Sequence, residues 1–332
     1  MIKQAAGRIL AAFSIVWLVV AAPQAAAQDP LPSWNDGASK RAIVAFVAQV
    51  TKAGTPDFVP VPQRIATFDN DGTLWVEQPI YTQYAFAIDR VKLLSAGHPE
   101  WKNTEPFASL IDGDVERALA GGEEALLQVL AATHAGMTTE SYERIAREWL
   151  RTKRDGRFKR EYNTLVYQPM LELLNYLRAN GFKTFIVTGG GVEFVRAYAE
   201  EAYGIPPEQV IGSSGRLKYQ MRGDVPELLK LPAVDVVNDK DGKVVSIQKV
   251  IGRRPIAAFG NSDGDLQMLE WTAAGKGARL ALLVHHTDAA REWAYDRGSK
   301  IGGLDKALDA AIAKKWTVVS MKDDWNTIFP KQ

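Results

Sequence analysis

Arg64-Ile65-Ala66-Thr67-Phe68-Asp69-Asn70-Asp71-Gly72-Thr73 decides how the chain folds. Arg64 to Phe68 is a short β-prone run that stops abruptly at two carboxylates. It reads as a buried strand with polar residues at its carboxyl end. Gly72 permits a turn there, so Asp69 and Asp71 can face one crevice. Taken alone, Asp-Gly is also an ordinary solvated turn; the neighbouring segments decide between the two.

The same pattern recurs further along. Lys183–Val187 reads as a strand ending at Thr188-Gly189-Gly190-Gly191, followed by a helix over Val192–Tyr203. Pro255–Phe259 reads as a strand ending at Gly260-Asn261-Ser262-Asp263-Gly264-Asp265, and Arg279–Val284 as one ending at His285-His286. Helices are predicted over Lys40–Lys52, Pro169–Ala179, Lys243–Ile251 and Leu266–Trp271. Ser213–Asp241 reads as irregular or hairpin-like, and Arg291–Gln332 as a closing helix and an amphipathic tail. Alternating elements of this kind predict an α/β fold: a Rossmann-like parallel sheet with helices on both faces. Ligands of such sheets sit at the carboxyl ends of the strands. From Pro79 to about Thr164 the pattern is mostly helical, with Thr138 or Thr139 as an N-cap and Glu140 in the first turn. The expected organisation is a core of residues 28–76 and 166–332, with a mainly helical cap, 77–165, inserted after the first core strand.

The chain has 332 residues, 46% hydrophobic and 24% charged, with a formal net charge of +1. That balance affords a sizeable core and excludes a nucleic-acid binder relying on a broad basic face. There is no cysteine, hence no disulfide framework and no thiolate zinc site. Lys3 and Arg8, the apolar stretch Ile9–Ala22 and the small residues Ala25-Ala26-Ala27 have the layout of a secretory signal peptide over residues 1–27. The apolar stretch is shorter than the roughly 20 residues that span a bilayer. The expectation is a periplasmic or secreted mature chain, near neutral, with no stable membrane span.

Glycines at a strand-to-helix junction bind anions, because free amides and the helix N-terminus point at the ligand. Thr188 and Gly189 are the candidates here. Acidic oxygen ligands at the Gly260–Asp265 strand end, with no cysteine and few histidines, suit Mg²⁺. The three strand ends together, Asp69-Asn-Asp-Gly-Thr, Thr188-Gly-Gly and Gly260-Asn-Ser-Asp-Gly-Asp, resemble the signature of the haloacid dehalogenase-like superfamily. The resemblance is to its phosphatase branch and spans roughly Arg64 to His286. The inserted cap resembles that of its phosphoserine phosphatase-like group.

The resemblance implies a Mg²⁺-dependent phosphatase acting on a small phosphorylated metabolite. Asp69 would be the nucleophile, forming an aspartyl-phosphate. Asp71 would be general acid and then general base. Thr188 would hydrogen-bond a phosphoryl oxygen. Mg²⁺ would sit on the Asp69 carboxylate, the Asp71 carbonyl and an acidic residue near Gly260. Asp71 favours phosphatase over dehalogenase, since a halide leaves without a proton and an alkoxide does not. The family also has a lysine that neutralises phosphate. Lys243, at a helix start, is preferred over Lys249, late in the same helix.

One departure concerns the metal. The usual fourth segment begins Gly-Asp, and here it is Gly260-Asn261. Either Asn261 coordinates directly with Asp265 behind it, or Asp265 or Asp263 holds the ion. His285 and His286 either touch the substrate or cap the strand end. Trp75, Tyr81, Tyr84 and Phe86 either line a pocket or pack the cap. Two other functions fit the same residues: a phosphomutase or other phosphotransferase, and a non-catalytic periplasmic phosphate-ester binding protein. Oligomeric state is not legible.

Overall fold

In the computed structural model, which describes residues 29–331, seven strands form one sheet. In chain order the elements are α1 (Ala38–Thr51), β1 (Ile65–Phe68), α2 (Thr82–Leu94), α3 (Phe107–Asp112), α4 (Val115–Leu119), α5 (Gly122–His134) and α6 (Thr139–Thr152). Then follow α7 (Gln168–Ala179), β2 (Lys183–Gly191), α8 (Val192–Tyr203), β3 (Val210–Arg222), β4 (Val225–Val236), α9 (Asp241–Val250) and β5 (Ala257–Gly260). The chain closes with α10 (Leu266–Ala273), β6 (Leu280–His285), α11 (Lys306–Lys314), β7 (Thr317–Ser320) and α12 (Met321–Asp324). The strand order is β4-β3-β2-β1-β5-β6-β7. All neighbours pair in parallel except β4, which runs antiparallel to β3. The leader expected at residues 1–27 lies outside the described residues.

Successive side chains of a strand point to opposite faces. Ala66 and Phe68 of β1, Ala257 and Phe259 of β5, and Leu282 and Val284 of β6 face one apolar layer, covered by Phe46 of α1, Leu173 of α7 and Phe194 of α8. Ile65, Ala258, Ala281 and Leu283 face the other, covered by Ile247 of α9, Met268 of α10 and Ala307 of α11. Burial on both faces is why these strands read as unbroken apolar runs. Phe68 and Phe259 stack at 4.3 Å directly beneath the two central strand ends. Burying each such ring stabilises the fold by roughly 1.5–3 kcal/mol.

Helices α2 to α6 fall between β1 and β2. The chain leaves and re-enters the core through a short ladder: Val76 N–H donates to the Leu165 carbonyl at 3.2 Å and Tyr167 N–H to that of Leu74 at 2.8 Å. The insert has its own apolar cluster, including Val91, Trp101, Leu110 and Val129. Thr138 caps α6, its hydroxyl accepting from Ser141 N–H. No described helix is long and apolar enough to cross a membrane.

Ser213–Asp241, read as irregular or hairpin-like, is mostly a hairpin: β3 runs past the core and β4 returns against it, with Tyr219 opposite Leu228. One stretch differs from the sequence expectation. The C-terminal stretch contains a helix, α11, but also β7, which pairs with β6 and extends the parallel sheet. A four-residue strand is too short to give a periodic signal; its partner makes it a strand. The hairpin docks onto the insert. Gly136 N–H donates to the Lys230 carbonyl and Lys230 N–H to that of Met137, both at 2.9 Å. Helix α5 and the hairpin thereby roof the space above the strand ends.

Candidate active site

Asp69 continues β1 by donating its N–H to the Phe259 carbonyl at 2.9 Å. The chain then turns. The Asn70 carbonyl accepts from the N–H groups of Thr73, Leu74 and Trp75. Gly72 has φ +74°, and a Cβ there would meet Asn261 Nδ2 at 2.1 Å, so both backbone and space require glycine. The Trp75 indole donates to Asp71 Oδ1 at 3.0 Å, leaving Oδ2 free of it. Asp69 and Asp71 thus border one cavity of about 480 Å³ between the strand ends, the insert and the hairpin.

Lys243 Nζ donates to Asp69 Oδ1 and to Asp265 Oδ1, each at 2.6 Å. The residue lies in the first turn of α9, which begins at Asp241 rather than at Lys243 itself. Lys249 is exposed near the other end of the helix, so of the two candidate lysines the structure brings Lys243 to Asp69. Burial opposes the Lys243 charge, but Asp265 and Asp69 together outweigh it and hold its pKa above the ordinary lysine value. Burial raises Asp69 well above the usual carboxylate range; Asp265 and Asp71 add to this and Lys243 opposes it. Asp71 is also raised, by burial first, against the Trp75 hydrogen bond.

The Gly260–Asp265 loop divides its carboxylates between tasks. Asp265 Oδ2 accepts from the N–H groups of Asn261 and Ser262, while Oδ1 faces Lys243. Asp263 points away and accepts from the N–H groups of Asp305, Lys306 and Ala307, capping the start of α11. Of the three open metal candidates, Asp263 is therefore spent elsewhere. Asn261 Oδ1 accepts from the Thr73 hydroxyl at 2.8 Å, and Nδ2 donates to Glu77 Oε1 at 2.7 Å.

Glu77 is the site residue that sequence reasoning missed. It is buried, borders the cavity and accepts from the Tyr295 hydroxyl at 2.7 Å. Burial lifts its pKa well above the ordinary range, and Asp71, Asp69 and Asp265 add to this against the Tyr295 hydrogen bond. The available signal was a carboxylate directly following the apolar Leu74-Trp75-Val76.

Thr188 is buried at the end of the regular part of β2. Its hydroxyl accepts from Gly190 N–H at 3.0 Å, and its carbonyl accepts from the Asn238 side chain. Gly189, Gly190 and Gly191 border the cavity above it. His286 is buried and bridges Gly72 O (Nε2, 2.8 Å) and Glu292 Oε2 (Nδ1, 3.1 Å), while Tyr167 donates to Glu292 Oε1. It braces the Asp69–Gly72 turn through the Gly72 carbonyl. His285 lies 3.4 Å from Asp296. Tyr81 and Tyr84 line the cavity, whereas Trp75 and Phe86 are fully buried, with Trp75 stacked on Tyr198 at 4.4 Å.

Asp69, Asp71, Glu77 and Asp265 share this floor, and Lys243 is the one cation paired with any of them among the described residues. Among those residues no three Asp, Glu, His or Cys side chains form a metal cage. The donor set nonetheless fits Mg²⁺, which binds through one or two carboxylates and keeps water on its other positions. The lone pair left on Asp69 Oδ1, the Asp71 carbonyl and the remaining Asn261 Oδ1 lone pair are all hard oxygens, and carboxyl groups outnumber cations there.

A model of the haloacid dehalogenase-like hydrolases matches residues 66–270. Among solved structures, a conserved functionally unknown protein from Anaerococcus prevotii is 16% identical over 85% of this chain and 91% of its own, with a TM-score of 0.54. A protein with unknown function from Bordetella pertussis is 18% identical over 78% of this chain and 99% of its own, at 0.50. A phosphoserine phosphohydrolase-like protein from Francisella tularensis is 18% identical over 67% and 87%, at 0.39. No curated protein matches the sequence. The first two share the fold, and the matched stretch runs from the strand before Asp69 through Thr188 and Lys243 to beyond Asp265: the chain belongs to the haloacid dehalogenase-like hydrolase family.

Proposed function

We propose that this chain is an exported, Mg²⁺-dependent phosphatase that hydrolyses small phosphomonoesters through an aspartyl-phosphate on Asp69. The observation that carries the reading is the pairing of Asp69 with Lys243 at 2.6 Å, beside Asp71 and facing a glycine loop across one cavity. Export rests on the leader-like segment 1–27.

Lys243 holds one oxygen of Asp69, so the other attacks phosphorus. The bond to the ester oxygen breaks as the bond to Asp69 forms. Asp71, whose protonated form burial favours, passes its proton to the departing alkoxide. Water then attacks the phosphorus of the aspartyl-phosphate. Asp71 takes its proton, and Asp69 and inorganic phosphate are released. The Lys243 ammonium would bind a phosphoryl oxygen, and Gly189 would approach it closely, while the amides of Gly190 and Gly191 are donated to the Thr188 hydroxyl and to Gln83 Oε1. A bound Mg²⁺ would screen the repulsion between the Asp69 carboxylate and the phosphate dianion. Hairpin and insert enclose the site, which suits small esters and not macromolecular ones.

The test is phosphate release from p-nitrophenyl phosphate and a panel of small phosphomonoesters, with Mg²⁺ or EDTA, beside Asp69→Asn. Metal-dependent turnover lost in Asp69→Asn is expected. A folded wild type that binds these esters without turning any over would sink the phosphatase reading in favour of a binding protein.

A further inference from the structure

The far wall of the cavity holds a charged pair that the chemistry above does not use. Lys230 Nζ, on β4, lies 3.1 Å from Glu193 Oε2, in the first turn of α8, and the side chains are only 11% and 8% exposed. Lys230 also stands 4.7 Å over the ring of Tyr142, on α6. Three segments far apart in sequence thus converge on one spot, and all three residues border the cavity. Taking two charges out of water costs several kcal/mol per ion, and one pair contact rarely offsets it. Neither charge is saturated. The other oxygen of Glu193 makes no hydrogen bond among the described residues, and an ammonium has three donors.

We infer that Glu193 and Lys230 are the subsite that reads the organic half of the substrate, and that this half is a neutral, hydroxyl-bearing group such as a polyol or sugar. The inference rests on the phosphatase reading and deepens it. A donor beside an acceptor matches a hydroxyl, which both accepts and donates. The pair is neutral overall, so an organic group carrying a single charge gains no net ion pair from it. Asp239 on another wall repels a carboxylate. Lys230 already covers the Tyr142 face that a quaternary ammonium would need. A cavity of about 480 Å³ has room for a phosphorylated sugar.

The test compares kcat/KM for glucose 6-phosphate and glycerol 1-phosphate with that for propyl phosphate, phosphocholine and phosphoserine. The hydroxylated esters are expected to lead by tenfold or more. In the double variant Lys230→Met/Glu193→Leu, which removes both charges together and avoids a stranded ion, the lead over propyl phosphate should fall below threefold, chiefly through KM. Glu193→Gln alone should give an intermediate ratio. The same preference is read without turnover as the shift in Tm that each ester gives Asp69→Asn. Discrimination there without turnover in the wild type would retain the subsite and remove the phosphatase reading. Turnover with no preference, a lead for phosphocholine, or a preference surviving in the folded double variant would overturn the subsite.

Discussion

At the floor of the cavity Lys243 is shared by Asp69 and Asp265, with Asp71 and Glu77 nearby, whereas at the roof Glu193 and Lys230 meet as an equal pair. The floor is built at the ends of parallel strands whose positions are fixed by two apolar layers. The roof is assembled from a hairpin, an inserted helix and the first turn of α8. The floor has more carboxyl groups than cations, so a further cation is favoured there. The roof is balanced in itself and gains only from a group that fits between its two charges. On the proposed function, reaction chemistry and substrate choice fall on different parts of the chain.

The largest effects should come from the floor. Asp69→Asn should lower turnover by at least about 10⁴-fold, as loss of a covalent nucleophile does elsewhere. Asp71→Asn should slow the single-turnover release of alcohol from alkyl phosphates about 10²–10⁴-fold and that of p-nitrophenol, which needs no proton to leave, much less. Equal losses on both esters would remove Asp71 from the acid role. Lys243→Met strands Asp69 and Asp265 and should destabilise the metal-free protein by about 3–5 kcal/mol in a denaturant melt. A loss under 1 kcal/mol would mean that the floor tolerates its own charge and the contrast with the roof is false.

The roof should show itself at acid pH. His134, packed edge-on to Tyr142, is pulled down to about 3 by burial, with Lys230 opposing protonation as well. Its folded pKa lies below its unfolded one, so unfolding takes up a proton. Stability is therefore complete above about pH 6.5 and drains as pH falls toward 3, at up to about 1.4 kcal/mol per unit. His134→Leu should flatten that part of the Tm profile between pH 7 and 5. An unchanged slope would place the acid sensitivity elsewhere. The smallest effect is expected from Asn261→Asp. Loss of the donor to Glu77 should cost about 1–3 kcal/mol in EDTA, while the rise in Tm on adding Mg²⁺ should grow. If that rise does not grow, Asn261 is no metal ligand.

Much of the floor was legible in the sequence because strands buried on both faces read as apolar runs that end where the chemistry begins. β1, β2, β5 and β6 lie close to their expected places. Asp69, Asp71 and Lys243 meet as expected. What stayed hidden depends on contacts between remote residues. Glu77 looks like a surface charge until Asn261 and Tyr295 close on it. Asp263 sits among candidate metal ligands, yet its oxygens go to amides 42 to 44 residues away. The roof pair joins a helix start to a stretch whose own sequence reads as irregular or hairpin-like, with nothing in it to say what Lys230 meets.

The brace behind the nucleophile loop has a consequence for inheritance. His286, Glu292 and Tyr295 all lie beyond residue 270, where the match to the family ends. A transplant of residues 66–270 into another host would carry Asp69, Asp71, Thr188, Lys243 and Asp265. It would leave behind the imidazole on Gly72, the phenol on Glu77 and the amides that Asp263 grips. The recognised segment is therefore not a portable module: its reacting groups travel together, while the rigidity that aims them belongs to the trailing sixty residues or so.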